Sequence, residues 1–298
     1  MRLARVNYGT DTTWGFVEDA SISSGSSQPP ASGWNQPDAS VWLVQPGSPS
    51  LAAALAEGPA ALSLLRASAN KSVQLAHVRL LAPIESPSKI ICIGLNYGEH
   101  ARESGLALPK EPMVFAKFPS SIVGPYDDII LPTQSSQVDW EAELAVVISR
   151  RAEHVEEDEA LDYVGGYLVA NDVSARDIQA GESQWVRAKS FTSFCPIGPW
   201  VTTRDEVGDA SGLQVQLKVN GVMKQDGNTS DLVADVRKIV SFCSRISALE
   251  IGDIILTGTP AGTGIGMKPQ QFLGDGDHMR TLIQGLGSLS NLVVAATR

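Results

Sequence analysis

Short apolar runs with the composition of β-strands recur along most of the chain, and each is bounded by Gly, Pro, Asn or Asp. Two of them, residues 2–8 and 13–18, flank the turn-rich stretch GTDTT and predict a β-hairpin near the N-terminus. Runs of this length and pattern are typical of strands, so the chain is expected to be rich in β-structure. The other strand-like runs are residues 77–84, 89–97, 127–132, 142–149, 164–172, 213–221, 252–259 and 291–297.

Helical patterns are fewer than strand patterns. Residues 50–68 are rich in Ala and Leu, but the pair Gly58-Pro59 breaks this segment into two short helices. Residues 233–249 carry apolar side chains at helical spacing and predict the longest helix, and residues 100–108 predict a short one. Many strands with few helices favour a β-rich α+β fold over alternating βαβ units.

Near residue 80 the sequence changes from Ala- and Leu-rich helical segments to closely spaced strand-like runs, and this change predicts a domain boundary. Residues 1–80 are expected to form a small N-terminal domain that contains β-strands, and residues 81–298 a larger one. Within the first domain, residues 20–34 are rich in Ser, Pro and Gly and predict a loop.

Composition and charge narrow the range of partners. The chain has 298 residues, of which 43% are hydrophobic and 19% charged, as is ordinary for a soluble globular protein. Its formal net charge of −10 disfavours nucleic acid and anionic membranes. No segment reaches the roughly 20 apolar residues of a membrane span, and the N-terminal sequence has no apolar h-region. Three widely spaced cysteines form no CxxC pair, and a reducing, cytoplasmic location is expected.

The strongest candidate chemistry lies in the stretch DWEAELAVVISR, residues 139–150. Glu141 and Glu143 are two residues apart, so in a strand their carboxylates project from the same face, about 6.6–6.8 Å apart along the chain. Two negative charges at the head of an apolar run repel each other unless a cation lies between them. Asp172, at the end of another predicted strand, supplies a third oxygen ligand. Carboxylates of this kind favour Mg²⁺, Mn²⁺ or Ca²⁺ over Zn²⁺.

Two further segments carry side chains suited to catalysis. His100 and Glu103 are three residues apart and share one face of a helix, where the carboxylate would orient the imidazole as a general base. Arg176 and Gln179 crowd a segment that follows a predicted strand. Lys189 precedes an aromatic and Pro-rich loop and is suited to hold a substrate carboxylate or to polarise a carbonyl group.

Each of these signals also has a plainer explanation. The two glutamates would equally suit an exposed strand edge or salt bridges to Arg150 or Lys117, and His100 with Glu103 would suit a surface pair. The Gly-rich stretch at residues 255–266 lacks the GK[ST] and GxGxxG motifs, which disfavours nucleotide binding, although its backbone amides are suited to bind a carboxylate. Cys195 has no nearby histidine and is interpreted as core packing.

Together these segments resemble the fumarylacetoacetate hydrolase superfamily, in order, over residues 89–295. The N-terminal 80 residues are similar only to the small leading domain of two-domain members. The matching segments are KIICIGLNYGEHARE, EPMVFAKFPSSIVGP, DWEAELAVVI, YVGGYLVANDVSARDIQ, AKSFTSFCPIGP, LKVNGVMKQDGNTSDLV, GDIILTGTPAGTG and IQGLGSLSN.

The resemblance implies a mixed β-sandwich roll as the fold of the catalytic domain, and a homodimer. It implies that Mg²⁺ or Mn²⁺ is bound by Glu141, Glu143 and Asp172. The remaining roles that it implies are a His/Glu dyad on a lid helix and a set of substrate-contacting side chains. The dyad is His100 and Glu103, and the resemblance assigns substrate contacts to Gln179, Lys189 and Thr259. Arg176 and Lys117 are expected to add to these contacts, and Lys189 to join the dyad in catalysis.

The reaction that the resemblance favours is hydrolytic C–C cleavage of an acylpyruvate-like diketo acid, of the kind met in aromatic catabolism. In that reaction the His/Glu dyad activates water and the metal stabilises the departing enolate. The alternative is decarboxylation of an oxaloacetate-like acid or isomerisation of a 2-hydroxy-dienoate, because the same enolate serves both. A catalytically silent binding module is the remaining alternative.

Overall fold

The computed structural model describes residues 1–18, 39–103 and 105–296, and strands dominate its secondary structure. The strands are β1 (Arg2–Tyr8), β2 (Asp11–Glu18), β3 (Ser40–Leu43), β4 (Lys71–Gln74), β5 (Arg79–Leu81), β6 (Ile90–Gly94), β7 (Met113–Lys117), β8 (Ile122–Val123), β9 (Ile129–Leu131), β10 (Val138–Asp139), β11 (Ala142–Ile148), β12 (Val164–Asn171), β13 (Ser174–Ala175), β14 (Cys195–Thr203), β15 (Gln214–Val219), β16 (Val222–Asn228), β17 (Ile254–Leu256), β18 (His278–Ile283) and β19 (Gly287–Ala295). The helices are α1 (Leu51–Ala56), α2 (Gly58–Ser68), α3 (Gly98–Glu103), α4 (Arg176–Gly181), α5 (Val186–Lys189), α6 (Arg204–Val207) and α7 (Val236–Ile246).

Two large sheets and one short ribbon organise these strands. The larger sheet has the order β4-β3-β2-β1-β14-β12-β11-β17-β6-β7, with β5 paired to β1 and β8 paired to β14. The second sheet has the order β16-β15-β18-β19-β9, and β10 pairs with β13 in the ribbon. Most pairs are antiparallel, whereas β17 with β6, β14 with β8, and β19 with β9 are parallel. The expected β-rich α+β fold is therefore confirmed.

Strand β11 lies at the centre of the larger sheet, and both of its faces are buried. Leu144, Val146 and Ile148 pack into the core against the second sheet, whose side chains include Leu217 and Met279. The alternate residues Ala145 and Val147 pack into a second core, which α1, α2 and β2 cover. Burial on both faces accounts for the continuous apolar run in the sequence.

The larger sheet continues across the predicted domain boundary near residue 80. The N-terminal strands join it through β1, whose Leu3 pairs with Val201 of β14. Trp14 and Phe16 share a core with Leu168 and Ile254 of the C-terminal part. The division at residue 80 stays a prediction, and the structure joins the two sides by a strand pair and a shared core.

Several local elements agree with the sequence patterns, but the helix predicted over residues 100–108 is α3, which ends at Glu103, and the loop predicted after Lys189 contains β14. The N-terminal hairpin is β1 with β2, Gly58-Pro59 separates α1 from α2, and α7 lies within the predicted helical segment. Helix α7 begins at Val236 because the Asp235 side chain caps it, accepting a 2.9 Å hydrogen bond from the Lys238 amide. The loop predicted over residues 20–34 lies outside the described residues. Among the helices that are described, none is long and apolar enough to cross a membrane.

Candidate active site

Three carboxylates meet where β11 begins and β12 ends. Glu143 lies in β11, Glu141 directly precedes this strand, and Asp172 directly follows β12. The two strands are antiparallel neighbours, with Ala142 opposite Asn171, so the start of one lies beside the end of the other. One oxygen from each carboxylate lies within 4.8 Å of the others, and all three side chains are buried. The exposed-edge explanation of the two glutamates is therefore wrong.

Three buried cations surround this carboxylate cluster, which is defined as Glu141, Glu143 and Asp172. Lys189, at the end of α5, donates to Glu141 Oε2 at 2.7 Å and to Asp172 Oδ2 at 2.8 Å. Lys117, at the end of β7, donates to Asp172 Oδ1 at 2.6 Å. The third cation is Arg176, the first residue of α4, whose Nη2 lies 2.6 Å from Glu141 Oε1. Glu141 and Asp172 are thus held by charge-assisted hydrogen bonds, which orient their oxygens.

Glu143 differs from the other two carboxylates in its partners. Burial works against ionisation of Glu141, but Lys189 and Arg176 hold the pKa of Glu141 far below its usual range. For Glu143, burial and the neighbouring Asp172 and Glu141 together raise the pKa well above its usual value. Its one strong partner is the backbone amide of Gly258, which donates to Oε2 at 2.7 Å. Glu143 is the member of the cluster that lacks a cationic partner within the described residues.

The donor set fits a hard divalent cation. With Asp139, which pairs with Arg176, the buried network holds four carboxylates and the three cations Lys117, Arg176 and Lys189. Glu143 is the carboxylate left without a cationic side chain, and carboxylate oxygens are the ligands that Mg²⁺ and Mn²⁺ prefer. The cluster is therefore able to hold such an ion, with Glu141, Glu143 and Asp172 as the ligands.

The candidate dyad lies on α3, which follows β6 at the same edge of the sheet. His100 is buried, and its Nδ1 faces Glu103 Oε2 at 3.5 Å. This separation is an ion-pair distance but is longer than a well-formed hydrogen bond, so Nδ1 has no hydrogen-bond partner among the described residues. Burial acts to raise the pKa of Glu103, but His100 and the amide of Gly262 outweigh it and lower that pKa.

A Gly-rich loop, residues 258–266, joins the dyad to the carboxylate cluster. Strands β6 and β17 are parallel, so α3 and this loop leave the sheet at the same edge. The amide of Gly262 donates to both carboxylate oxygens of Glu103, at 3.0 and 3.1 Å. The amide of Gly258 binds Glu143. The expectation that this loop binds a carboxylate is met by two glutamates of the chain itself.

A cavity of about 490 Å³ brings these groups together. Its polar side includes both glutamates of the cluster, and its apolar side includes Trp185 and Phe115, whose rings meet edge to face at 5.3 Å. A larger cavity of about 1110 Å³ lies against the N-terminal strands and contains none of these groups, so the chemistry rather than the size identifies the site. The cavity is lined by Ile93, Gly94, Leu95, His100, Glu103, Leu106, Phe115, Glu141, Glu143, Arg176, Gln179, Ala180, Trp185, Lys189, Thr259, Ile265, Gly266 and Gln270.

Most of the predicted substrate contacts line this cavity, and Lys117 does not. Gln179 is half-buried and accepts a hydrogen bond from Arg176 Nη1 at 2.9 Å. Thr259 donates to the carbonyl of Ala142 at 2.9 Å and accepts from Gln225. Lys117 lies behind the cluster, fully buried, where it holds Asp172 rather than facing the cavity.

The structure gives Asp139 and Arg150 contacts that their positions in the sequence did not indicate. Asp139 is fully buried and pairs with Arg176 at 2.6 Å, although only its place two residues before Glu141 marked it. Arg150 lies over the ring of Tyr163, 5.0 Å from its centroid, so it is not the partner of the glutamates. Cys195 is buried in the core, as the interpretation of core packing requires.

Comparison with known proteins identifies the family. The family model described as fumarylacetoacetate (FAA) hydrolase C-terminal matches residues 89–294. The chain belongs to the fumarylacetoacetate hydrolase family. The predicted resemblance and the family's mixed β-fold are thereby confirmed, and the chain belongs to a family of enzymes.

Relatives within the fumarylacetoacetate hydrolase family carry several activities in their descriptions. Oxaloacetate tautomerase FAHD2B, mitochondrial, from Bos taurus is 44% identical over 245 residues, which are 80% of this chain and 78% of that protein. The crystal structure of 2-hydroxyhepta-2,4-diene-1,7-dioate isomerase from Mycobacterium marinum is 34% identical, with a TM-score of 0.79 and complete coverage of both chains. A fumarylacetoacetate hydrolase from Exiguobacterium antarcticum is 35% identical with a TM-score of 0.81, covering 99% of this chain and 100% of its own.

Proposed function

We propose that the chain is an isomerase that interconverts the enol and keto forms of a 2-oxo acid of the oxaloacetate class, with Mg²⁺ or Mn²⁺ as cofactor. The observation that carries this proposal is that His100, with Glu103 behind it, lines the same cavity as Glu141 and Glu143. A buried imidazole beside a metal-binding carboxylate cluster is suited to move a proton on a substrate held there.

His100 is the group that transfers the proton. Its Nδ1 faces Glu103, which leaves Nε2 to exchange a proton with the substrate. When bound, the cation would polarise the 2-oxo and carboxylate oxygens of the substrate and so make the protons on C3 more acidic. Formation of the keto form needs one proton delivered to C3 and one removed from the enol oxygen. Glu103 would stabilise the protonated imidazole between these two transfers.

The remaining cavity residues are proposed to bind and orient the substrate. Lys189 and Arg176 supply positive charge beside Glu141, where the negative charge of a deprotonated substrate would develop. Gln179 is proposed to donate its side-chain NH2 to a substrate oxygen, and Thr259 to shape the cavity wall, since its hydroxyl proton is donated to the carbonyl of Ala142. Lys117 serves the substrate indirectly in this proposal, because its contact is with Asp172.

Hydrolytic C–C cleavage of an acylpyruvate-like acid is the second candidate. The His100–Glu103 pair would also activate a water molecule, and one structural relative is described as a fumarylacetoacetate hydrolase. Isomerisation is preferred because relatives that cover most of the chain are described as an oxaloacetate tautomerase and a dienoate isomerase. Decarboxylation of oxaloacetate would follow from the same substrate geometry and is a third outcome to measure.

Purified protein with Mg²⁺ or Mn²⁺ distinguishes these reactions. Loss of the enol absorbance of oxaloacetate reports tautomerisation, release of carbon dioxide reports decarboxylation, and appearance of a second carboxylic acid from an acylpyruvate reports hydrolysis. We expect the enol signal to decay fastest and H100A to lose this activity by about 10²- to 10⁴-fold. His77, which is exposed and outside the cavity, provides the control variant H77A, which should behave like wild type. Acylpyruvate cleavage without tautomerisation would establish the hydrolase instead.

The broader expectations about the protein stay proposals. A small-molecule 2-oxo or diketo acid is the proposed partner, and a homodimer is the proposed assembly. A cytoplasmic location remains a prediction, since the tautomerase from Bos taurus is described as mitochondrial. A place in aromatic catabolism is likewise a prediction, which activity on dienoate substrates would support.

A further inference from the structure

Asp139 is a buried carboxylate that touches neither the cavity nor the carboxylate cluster. It is fully inaccessible to solvent and accepts two strong hydrogen bonds. Its Oδ1 accepts from Arg176 Nε at 2.6 Å, and its Oδ2 accepts from the amide of Ile265 at 2.9 Å. One oxygen therefore binds the guanidinium group of Arg176, and the other binds the Gly-rich loop.

Arg176 binds Asp139 and also two residues that line the cavity. Its Nη2 holds Glu141 at 2.6 Å, and its Nη1 holds Gln179 at 2.9 Å. The guanidinium group is planar and rigid, so fixing its Nε end fixes the direction of both Nη donors. Through Arg176, Asp139 thus sets the orientation of Glu141, a candidate metal ligand, and of Gln179, a proposed substrate contact.

The Gly-rich loop carries a second set of contacts, to helix α3. Glu103 of that helix accepts from the amide of Gly262, three residues before the amide that binds Asp139. A Cβ added at Gly266 would lie 2.1 Å from Glu103 Cδ, so the Glu103 side chain lies flat on the loop. A Cβ at Gly264 would lie 2.8 Å from Asp139 Cβ, so this aspartate packs against the same loop.

We propose that Asp139 is a positioning residue that couples the docking of α3 on the Gly-rich loop to the placement of Glu141 and Gln179. The chain of contacts runs from Glu103 to the loop, from Ile265 to Asp139, and through Arg176 to Glu141. With α3 docked, the loop amide and Arg176 hold Asp139 between them. With α3 displaced, the loop is free to move away from Asp139. Asp139 then loses the hydrogen bond from the Ile265 amide and is held by Arg176 alone.

A purely structural ion pair is the rival explanation, and Asp253 offers the matched control. Asp253 is also fully buried, pairs with Lys89 and accepts from the amides of Lys89 and Glu250 and from the Ser88 hydroxyl, but none of these partners lines the cavity. D139N and D253N each remove a buried charge that binds one cationic side chain and at least one backbone amide. Loss of stability is expected in both, whereas an effect on the site is expected in D139N alone.

Titration calorimetry with Mn²⁺ is the first measurement. We expect D139N to bind the ion about 10- to 100-fold more weakly than wild type, as is usual when a group that orients a metal ligand is lost. D253N should bind it like wild type. Equal Mn²⁺ affinity in D139N, D253N and wild type would overturn the proposal and leave Asp139 with a structural role.

Hydrogen exchange and a double variant test the coupling itself without reference to turnover. Peptides that cover α3 should exchange faster in D139N than in wild type and D253N. E103Q should weaken Mn²⁺ binding several-fold even though Glu103 is not one of the three carboxylates of the cluster. In the D139N background E103Q should add little, because both changes release the same loop. If D139N and E103Q weaken Mn²⁺ binding additively, or if α3 exchanges at the same rate in D139N and wild type, the proposed coupling is wrong.

The inference draws on the proposed function only for its consequence in turnover. D139N should lower kcat for the enol–keto conversion with a smaller change in KM. If wild type binds Mn²⁺ but converts no 2-oxo acid, the proposed reaction fails while the calorimetric and exchange comparisons still decide the role of Asp139. If wild type converts oxaloacetate and D139N matches it in every measurement, only the inference on Asp139 fails.

Discussion

The balance of buried charge at single residues explains why the cluster is built as it is. Glu141 and Asp172 each bind lysine or arginine directly, whereas Glu143 has a backbone amide and two negative neighbours. Burying an ionised carboxylate without a cation is costly, so Glu143 favours its protonated form unless a cation is bound. Glu143 is therefore the side chain of the cluster whose ionised form gains most from a bound cation.

The variant E143Q should separate protein stability from metal binding. The glutamine mimics the protonated carboxyl. Because the pKa of Glu143 is raised in the folded state, wild-type stability without divalent ions is greatest below the ordinary glutamate pKa of about 4.3 and falls as pH rises from there toward the raised value. We therefore expect metal-free E143Q to lack this fall, and to melt at least as high as wild type at neutral and alkaline pH. It should also lose the rise in Tm that Mg²⁺ gives to wild type. Scanning calorimetry with and without Mg²⁺ measures both effects, and an undiminished Mg²⁺ effect would rule out Glu143 as a ligand.

The three cysteines should be unreactive in the native protein. Cys92, Cys195 and Cys243 are buried, and burial raises the pKa of all three thiols, that of Cys195 and of Cys243 to about 12. Because the thiolate is the reactive species, a thiol reagent should modify none of them near neutral pH. Titration with a chromogenic disulfide should then detect three thiols only after denaturation. Fast modification of a native thiol would contradict the interpretation of core packing.

At the residue scale, the sequence identified the groups whose spacing is local. Glu141 with Glu143, and His100 with Glu103, were found because strand and helix periodicity place their side chains on one face. The role of Lys117 was not, because its partner Asp172 lies 55 positions away and only the folded sheet brings them together. Asp139 was missed for the same reason, since its partners Arg176 and Ile265 come from distant segments.

Elements that leave one edge of the sheet together build the site. Helix α3 follows β6, and the Gly-rich loop follows the parallel strand β17, so the dyad and the loop meet without any long connection. The sequence predicted β6, β11, β12, β15, β17 and α7, because hydrophobic periodicity and Gly or Pro boundaries are local signals. It missed β14, whose Pro and Gly residues indicated a loop, and the short strands β3, β4 and β7. It did not predict which strands are neighbours. Strand β14 lies between β1 and β12, a choice made by packing between residues nearly 200 positions apart in the chain.

Substitution of a single glycine should displace the dyad while the fold remains. A Cβ at Gly266 would lie 2.1 Å from Glu103 Cδ and 2.4 Å from its Cγ, and these atoms belong to the end of a flexible side chain. G266A should therefore move Glu103 off the loop with little loss of stability, and lower kcat by about 10-fold, less than the ~10²–10⁴-fold expected from complete loss of a general base. Gly98, where a Cβ meets nothing within 4 Å, provides the control G98A. Kinetics with thermal melts test this, and equal kcat in G266A and wild type would contradict it.

For the whole molecule, one question is whether the N-terminal part is an independent unit. The change in the pattern of helical and strand-like segments near residue 80 predicts that residues 1–80 form a separate small domain. In the structure their strands extend the larger sheet, and Leu3, Trp14 and Phe16 are buried in one core with Ala145, Leu168 and Ile254. The N-terminal amino group also binds Thr203 and Glu206 of the C-terminal part.

Because a sheet and a core run through both parts, thermal unfolding should be one cooperative transition. Domains that meet only through a small polar interface usually unfold separately, whereas a shared apolar core links their stabilities. The variant L3A removes a fully buried side chain at the junction, and its expected cost of about 2–5 kcal/mol should lower the Tm of the single transition as a whole. L64A, at a largely exposed leucine on α2, is the control and should leave it unchanged. If calorimetry instead resolves two transitions and L3A shifts only one of them, the N-terminal residues form a domain of their own, and the boundary near residue 80 is an energetic one as well as a change in sequence.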